Sequence, residues 1–263
     1  MKTIFPPDGP PGSDPLVFLC RADECGLPIA PGESFEAFRE RLVQLRKELP
    51  KHLSADLPEV PAAVRERAGG IVSALYGFNA GWLPAFCSTA ETGHFSAGVS
   101  VIIEDHLPLV YLSGAFSDRP RHLGYDAGET LAHESVHAAR SAFSPDSAYE
   151  EYFACQVHAS KFRRNAGNLF RRWYIPVLFF LGLNPFLFIL PLLILLREFQ
   201  LRRRLCRAGN ELSAMGLRPE PVLLRLSDDE ITELAAGRVP AVLADETSLR
   251  RRLFFRRFTR NGA

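Results

Sequence analysis

The sequence contains few cysteines, and their arrangement excludes a disulfide-stapled secreted domain. Five cysteines occur among the 263 residues. Domains that depend on disulfides usually carry an even number at short, regular spacings. The odd, widely spaced set comprises Cys20, Cys25, Cys87, Cys155 and Cys206. Cys20 and Cys25 have no partner Cys or His pair at zinc-finger spacing, so we expect no structural zinc site there.

The amino-terminal region lacks the apolar run of a secretory signal peptide. Residues 1–12 read MKTIFPPDGPPG, in which proline and glycine dominate. We therefore expect a Pro/Gly-rich arm over residues 1–31 and no export of the domain that follows, at residues 32–170. This predicts a cytoplasmic location for that domain.

Net charge is nearly absent from the chain as a whole, but its two parts carry large and opposite charges. The formal net charge is +1, yet residues 1–160 hold 12 basic and 21 acidic side chains, and residues 161–263 hold 19 basic and 9 acidic ones. Such an asymmetry favours contact of the second part with an anionic surface. The basic segment at residues 248–260 also contains Leu and Phe, which is typical of an interfacial helix on anionic lipid. No helix-turn-helix or RNP-like motif supports a nucleic-acid partner.

The longest stretch without charge covers residues 173–196 and reads WYIPVLFFLGLNPFLFILPLLILL. As a helix it would be about 36 Å long, enough to cross a bilayer. Arginines flank both ends, and the central GLNP is a turn signal, so a single kinked span and a re-entrant hairpin both remain open. We predict a membrane-inserted segment at residues 171–204 of a cell inner or plasma membrane, followed by a basic C-terminal region at residues 205–263.

Residues 32–170 show the patterns of both helices and strands. Ser34 is placed to cap a helix that reaches about His52, and a second helix follows Pro61 and ends near Gly69. Alternating residues predict strands at 98–103 and 109–112, joined as a hairpin. The spacing of Asp126 and Glu129 predicts the capped start of a further helix.

That further helix contains the motif His133-Glu134-Ser135-Val136-His137. Residues four apart share one face of a helix, so both imidazoles are able to reach one metal ion. Zinc suits two neutral imidazoles and a carboxylate, with a fourth position open to water. Glu134 would then be the general base that takes a proton from that water. Uncharged neighbours on both sides of the motif are typical of a buried active helix.

The third metal ligand is less certain from the residues alone. Phe143 and Arg140 stand where the extended HExxHxxGxxH arrangement requires His and Gly, which excludes that arrangement. A second helix after the turn at residues 144–147 would bring Glu150 or Glu151 beside the histidines. Asp146 is a third alternative.

HExxH followed by Glu-x-x-Ala resembles the gluzincin branch of the zinc metallopeptidases. The membrane-embedded families related to the CAAX prenyl proteases and the HtpX-type heat-shock proteases are the most similar. The resemblance implies that Glu151 joins His133 and His137 as a zinc ligand, and that Glu134 is the base. Cys155 stands where these families often have Asp. The implied fold is α+β: a zincin-like domain with a short antiparallel sheet and the HExxH helix, a membrane-inserted helix or hairpin, and a small basic, mainly helical C-terminal region.

Two functions follow from these patterns. The first is a membrane-anchored zinc metallopeptidase, with a peptide or protein substrate that pairs with an exposed strand edge at 99–103 or 109–112. The second is a membrane protein whose metal-binding or vestigial zincin domain acts as a binding or scaffold module. The residues considered for stabilising the oxyanion are Tyr149, Tyr152 and His158.

Overall fold

The computed structural model describes residues 14–53, 57–93, 96–103, 107–122, 124–143, 147–167 and 189–260. These residues form a mainly helical α+β fold with a small three-stranded sheet and a two-stranded ribbon, which confirms the predicted class. The first elements are α1 (Pro15–Glu24), α2 (Phe35–Glu48), α3 (Ala62–Tyr76), β1 (Ala85–Cys87), α4 (Thr89–Thr92), β2 (Gly98–Ile103) and β3 (Leu107–Leu112). Next come β4 (Arg121–His122), β5 (Tyr125–Asp126), α5 (Ala127–Arg140), α6 (Glu150–Cys155) and α7 (Lys161–Ala166). The C-terminal helices are α8 (Ile189–Ala214), α9 (Pro219–Leu224), α10 (Asp228–Ala235), α11 (Ala241–Ala244) and α12 (Leu249–Phe258).

Strand β3 lies at the centre of the main sheet, between β1 and β2. The predicted hairpin is confirmed, because β2 and β3 pair antiparallel along their full lengths. The prediction of a short antiparallel sheet is wrong in one respect, since β1 pairs with β3 in parallel and the sheet is mixed. The chain passes through α4 and β2 before it enters β3, and this long crossover permits the parallel pairing. Within the described residues, β2 is therefore an edge strand of the sheet.

Helices α2 and α3 begin where the sequence predicts, but α3 is longer than predicted. Ser34 caps α2 by accepting a hydrogen bond from the Ala37 amide at 3.1 Å. Helix α3 continues through Gly69 and ends at Gly77, which has a φ of 73°. Gly69 is required there for close packing rather than for termination, because a Cβ atom would lie 2.8 Å from the Asn79 side chain.

The predicted arm at residues 1–31 contains a helix that the sequence analysis did not anticipate. Helix α1 begins after Asp14, whose carboxylate accepts from the Leu16 amide at 2.9 Å. Leu16 and Leu19 are buried in the same hydrophobic core that contains the centre of the sheet. Residues 15–30 are thus an integral part of the fold.

The C-terminal helices share this core. Leu205, Ala208 and Leu212 of α8 pack against α9 and α10. In α12, Phe254 and Phe258 are both 1% exposed, and the helix packs against α1. Phe254 and Phe258, which were expected at a lipid interface, therefore lie inside the protein. Lipid contact of α12 through its exposed arginines stays a prediction.

Of the helices in the described ranges, none is long and apolar enough to cross a membrane. Most of the apolar run predicted to insert, residues 173–188, lies outside the described residues. Its end, from residue 189 onwards, is the beginning of α8.

Candidate metal centre

Helix α5 carries both histidines, and its start agrees with the prediction. Asp126 is the N-cap and accepts a 3.1 Å hydrogen bond from the Glu129 amide. The helix packs against α3 on one side and against β2 and β3 on another, so most of its residues are buried. This burial accounts for the uncharged residues around the HExxH motif.

The turn before α6 is held in place by the C-terminal region. Ser147 Oγ and the Ala148 amide donate to the Asp228 carboxylate at 2.7 and 2.6 Å. The buried Arg140, at the end of α5, donates to Ser147 Oγ at 3.1 Å and to the Leu224 carbonyl at 2.5 Å. These bonds fix α6 beside the end of α5 and bring its two glutamates to the histidines.

The two adjacent glutamates meet the histidines in different ways. The Nε2 atoms of His133 and His137 lie 3.2 Å apart. The Glu151 carboxylate faces both of them, at 3.5 Å from His133 Nε2 and 3.4 Å from His137 Nε2. Glu150 instead accepts from His137 Nδ1 at 2.7 Å, on the far side of the ring. The two Nε2 atoms thus face each other and the two carboxylate oxygens of Glu151, Oε1 beside His133 and Oε2 beside His137.

These distances fit the separation that a tetrahedral zinc ion imposes on its ligands. Ligand atoms about 2.0–2.1 Å from zinc lie about 3.3 Å from one another in a tetrahedral site. Two imidazole nitrogens and a carboxylate are also a donor set that zinc accepts. The Glu150 contact matches the carboxylate that often orients a metal-binding histidine through its other nitrogen.

No protein family, curated protein or solved structure was found to match this chain. The side chains of the site are therefore the basis for assigning a function.

Of the two histidines and Glu151, only His137 holds its titratable proton at pH 7. Burial lowers the pKa of His133 to about 4, so this ring is neutral at pH 7. Burial opposes charge on His137 as well, but its hydrogen bonds to Glu150 and Glu151 prevail and raise its pKa to about 10. Although burial opposes the charge of Glu151, its bond to His137 lowers its pKa to about 2. The positive charge of His137 is thus balanced by Glu150 and Glu151.

Cys155 offers an alternative donor. Ligand atoms of His133, Glu151 and Cys155 all lie within 4.8 Å of one another. Burial raises the pKa of Cys155, as does the Glu151 carboxylate, so the sulfur is a thiol. It donates to Glu151 Oε1 at 3.4 Å. Cys155 is thus a candidate ligand beside His133 and Glu151, and in the metal-free site it is a hydrogen-bond donor to Glu151.

The site opens into a cleft of about 1090 Å³. His133, Glu134, His137, Glu150 and Glu151 line one side of it, and residues of β2 line another. The rim at residues 30–33 is held by Arg41, which donates to both Glu33 carboxylate oxygens at 2.8 Å. The cleft therefore leaves open space between β2 and the histidines.

The other predicted residues lie in different places. His158 contacts Glu129 at 3.2 Å, with its ring centroid 5.5 Å from that of His133. Tyr149 is buried in the core, and Tyr152 borders another hollow, between α6 and α8. Asp146 lies outside the described residues. Ser100 lines the same cleft as Glu134 but was not among the predicted site residues. A single serine within a strand belongs to no sequence motif that would indicate a site.

Zinc binding at pH 7 is expected to release about one proton per chain. The metal-free His137 is protonated because its pKa is about 10, and a metal needs the lone pair of its Nε2. His133 and Glu151 have already lost their protons at this pH. Apparent zinc affinity should accordingly rise about tenfold per pH unit between about pH 6 and pH 9. Calorimetry in two buffers of different ionisation enthalpy measures the released proton, and a value near zero would contradict the assignment.

Proposed function

We propose that this chain is a membrane-anchored, zinc-dependent metallopeptidase of the gluzincin type. The observation that carries the proposal is the convergence of His133, His137 and Glu151, with Glu134 beside them at the wall of a cleft. This arrangement requires α5 and α6 to pack together, so it is more specific than the HExxH motif by itself.

A bound zinc ion would lower the pKa of water and polarise the scissile carbonyl. The protein supplies the proton transfers around that reaction. Glu134 is 7% exposed, and burial raises the pKa of its carboxyl group above the ordinary value. A carboxylate with a raised pKa is a stronger base, so Glu134 takes a proton from the attacking water and delivers it to the leaving amine.

An extended peptide is the substrate that the cleft accommodates best. In β2, the pairing register leaves the backbone N–H and C=O groups of Ser100 and Ile102 directed away from β3. Both residues line the cleft. A peptide that adds to this edge would be held by backbone hydrogen bonds, with one carbonyl presented to the histidines and Glu134.

Anchoring to an anionic membrane is the second part of the proposal. The first turns of α8 expose apolar side chains on several sides, among them Leu192, Leu193, Leu196 and Phe199. Arg197 and residues 202–204 follow them along the same helix. Apolar side chains followed by arginines suit a lipid surface with anionic headgroups.

The proposal is tested first by metal binding. The purified full-length chain should bind one zinc ion, measured by elemental analysis. Glu151→Ala should lose stoichiometric zinc, whereas Glu150→Ala should retain it with about 10- to 100-fold weaker affinity. The two variants are a matched pair, because the residues are adjacent and equally buried. A reversal of their effects would make Glu150 the ligand.

Hydrolysis of a peptide library by the zinc-loaded protein is the decisive second test. Cleavage that disappears with a chelator and returns with zinc supports a peptidase. Zinc binding without cleavage of any peptide, in detergent and in vesicles containing anionic lipid, would overturn the proposal in favour of a binding or scaffold module.

A further inference from the structure

Strand β2 presents one face and one edge to the base Glu134. The Ser113 amide donates to the Ala97 carbonyl at 2.9 Å, which makes residues 97, 99, 101 and 103 the hydrogen-bonded positions opposite β3. Ser100 lies between them, so its backbone amide is directed to the free edge. Its side chain shares a face with that of its partner Val110, which is fully buried.

Ser100 and Glu134 line the same cleft. Burial raises the pKa of the Glu134 carboxyl group, and hydrogen bonding by the hydroxyl and the amide of Ser100 partly offsets this effect. The strand lies unusually close to α5 at this point. A Cβ atom on Gly98 would be 3.3 Å from Glu134 Oε1 and 2.8 Å from Thr130 Cγ2, so glycine is needed for this approach. The contact between Ser100 and Glu134 is therefore built into the packing of β2 on α5.

We propose that Ser100 is a positioning residue for Glu134, and that its hydroxyl keeps the carboxylate in place when a substrate takes its amide. This inference rests on the proposed function. The Ser100 amide belongs to the row of edge groups that an extended peptide would pair with, so substrate binding competes for it. The hydroxyl is not part of that row. It remains available as a donor, and a bond to a charged acceptor is among the stronger ones.

Hydrogen exchange of the Ser100 amide tests the contact without zinc or turnover. An amide at a free strand edge ordinarily exchanges fast, but a bond to Glu134 should protect it. In Glu134→Ala, exchange at Ser100 should accelerate about tenfold or more. The Ile102 amide, which is the next edge amide of the same strand, should change less than about twofold and acts as the internal control. Equal exchange of Ser100 in both proteins would overturn the inference.

Kinetics on a cleaved peptide test the consequence. Ser100→Ala should lower kcat about tenfold or more, with KM and zinc affinity nearly unchanged. Ser100→Thr should restore most of kcat because it restores the hydroxyl, and Val101→Ala, on the opposite face of the strand, controls for lost strand propensity. Wild-type kcat in Ser100→Ala overturns the role of the hydroxyl. If no peptide is cleaved, the proposed function fails while hydrogen exchange still decides the contact.

Discussion

Replacement of Glu134 by glutamine is expected to reduce peptide hydrolysis by about 10²- to 10⁴-fold while the protein still binds one zinc ion per chain. The amide of glutamine has nearly the shape of the carboxylate but accepts no proton at neutral pH. The proposed zinc ligands His133, His137 and Glu151 face one another and do not include Glu134, so the substitution should leave them in place. Steady-state kinetics and elemental analysis on the same preparation measure both quantities.

A suitable control is Glu66→Gln, which removes one negative charge from an exposed position on α3. It should retain wild-type turnover. Two results would contradict the role of Glu134 as the general base. Normal hydrolysis by Glu134→Gln would show that another group moves the proton. Loss of zinc together with activity would show that Glu134 holds the metal instead.

The local part of the site was predictable from sequence because helix geometry is local. Asp126 marks the start of α5, and a spacing of four residues places His133 and His137 on one face. The residues alone left the choice between Glu150 and Glu151 open, and only the family resemblance implied Glu151. These neighbours differ by about 100° around their helix, and which of them meets Nε2 depends on how α6 packs against α5. Asp228 bonds to Ser147 and Ala148, and Arg140 of α5 bonds to the Leu224 carbonyl, so this packing depends on a segment about 80 residues away in sequence.

The same difference between local and long-range interactions explains which part of the sheet could be predicted. The β2–β3 hairpin is formed by adjacent segments with clear alternation, and it was predicted. Strand β1 has three residues, all buried, and its parallel partner comes after α4 and β2. Nothing local in such a short segment specifies a parallel pairing.

Amphipathic patterns were informative about burial but not about the partner. Phe254 and Phe258 were expected to contact lipid, yet their face of α12 packs in the core beside α1. A periodic apolar face indicates that one side of a helix is buried. The charges on the other side do not show whether the partner is lipid or the rest of the protein. Helix α1 was missed because the Pro/Gly composition of residues 1–12 was extended to residue 31. The N-cap signal of Asp14 followed by proline was present.

The opposite charges of the two parts also meet inside the fold. Asp23, on α1, is 1% exposed and forms ion pairs with Arg225 and Arg257 from the C-terminal region. Arg225 is 2% exposed and donates to the carbonyls of Tyr76 and Pro221 at 3.0 and 2.7 Å. Burial lowers the pKa of Arg225 to about 9 and that of Arg257 to about 10, so both remain charged at pH 7. Two of the arginines after residue 160 therefore neutralise an acidic residue, Asp23, in the first part of the chain.

Asp23→Asn should lower the free energy of unfolding by about 3–5 kcal/mol, because it leaves the buried Arg225 without its counter-charge and leaves Arg257 with only the exposed Glu24. Domains are usually stable by about 5–15 kcal/mol, so the loss is a large share of the total. Glu24→Gln is the matched control: Glu24 is next in sequence and 59% exposed, and its Oε1 lies 3.7 Å from Arg257 Nε. An exposed pair of this kind contributes less than about 1 kcal/mol. Urea denaturation of both variants measures the difference, and equal stabilities would contradict it.

Helix α1 ends at Glu24, a few residues before the cleft rim at residues 30–33. Asp23→Asn should therefore also make that rim less rigid and raise KM for peptides.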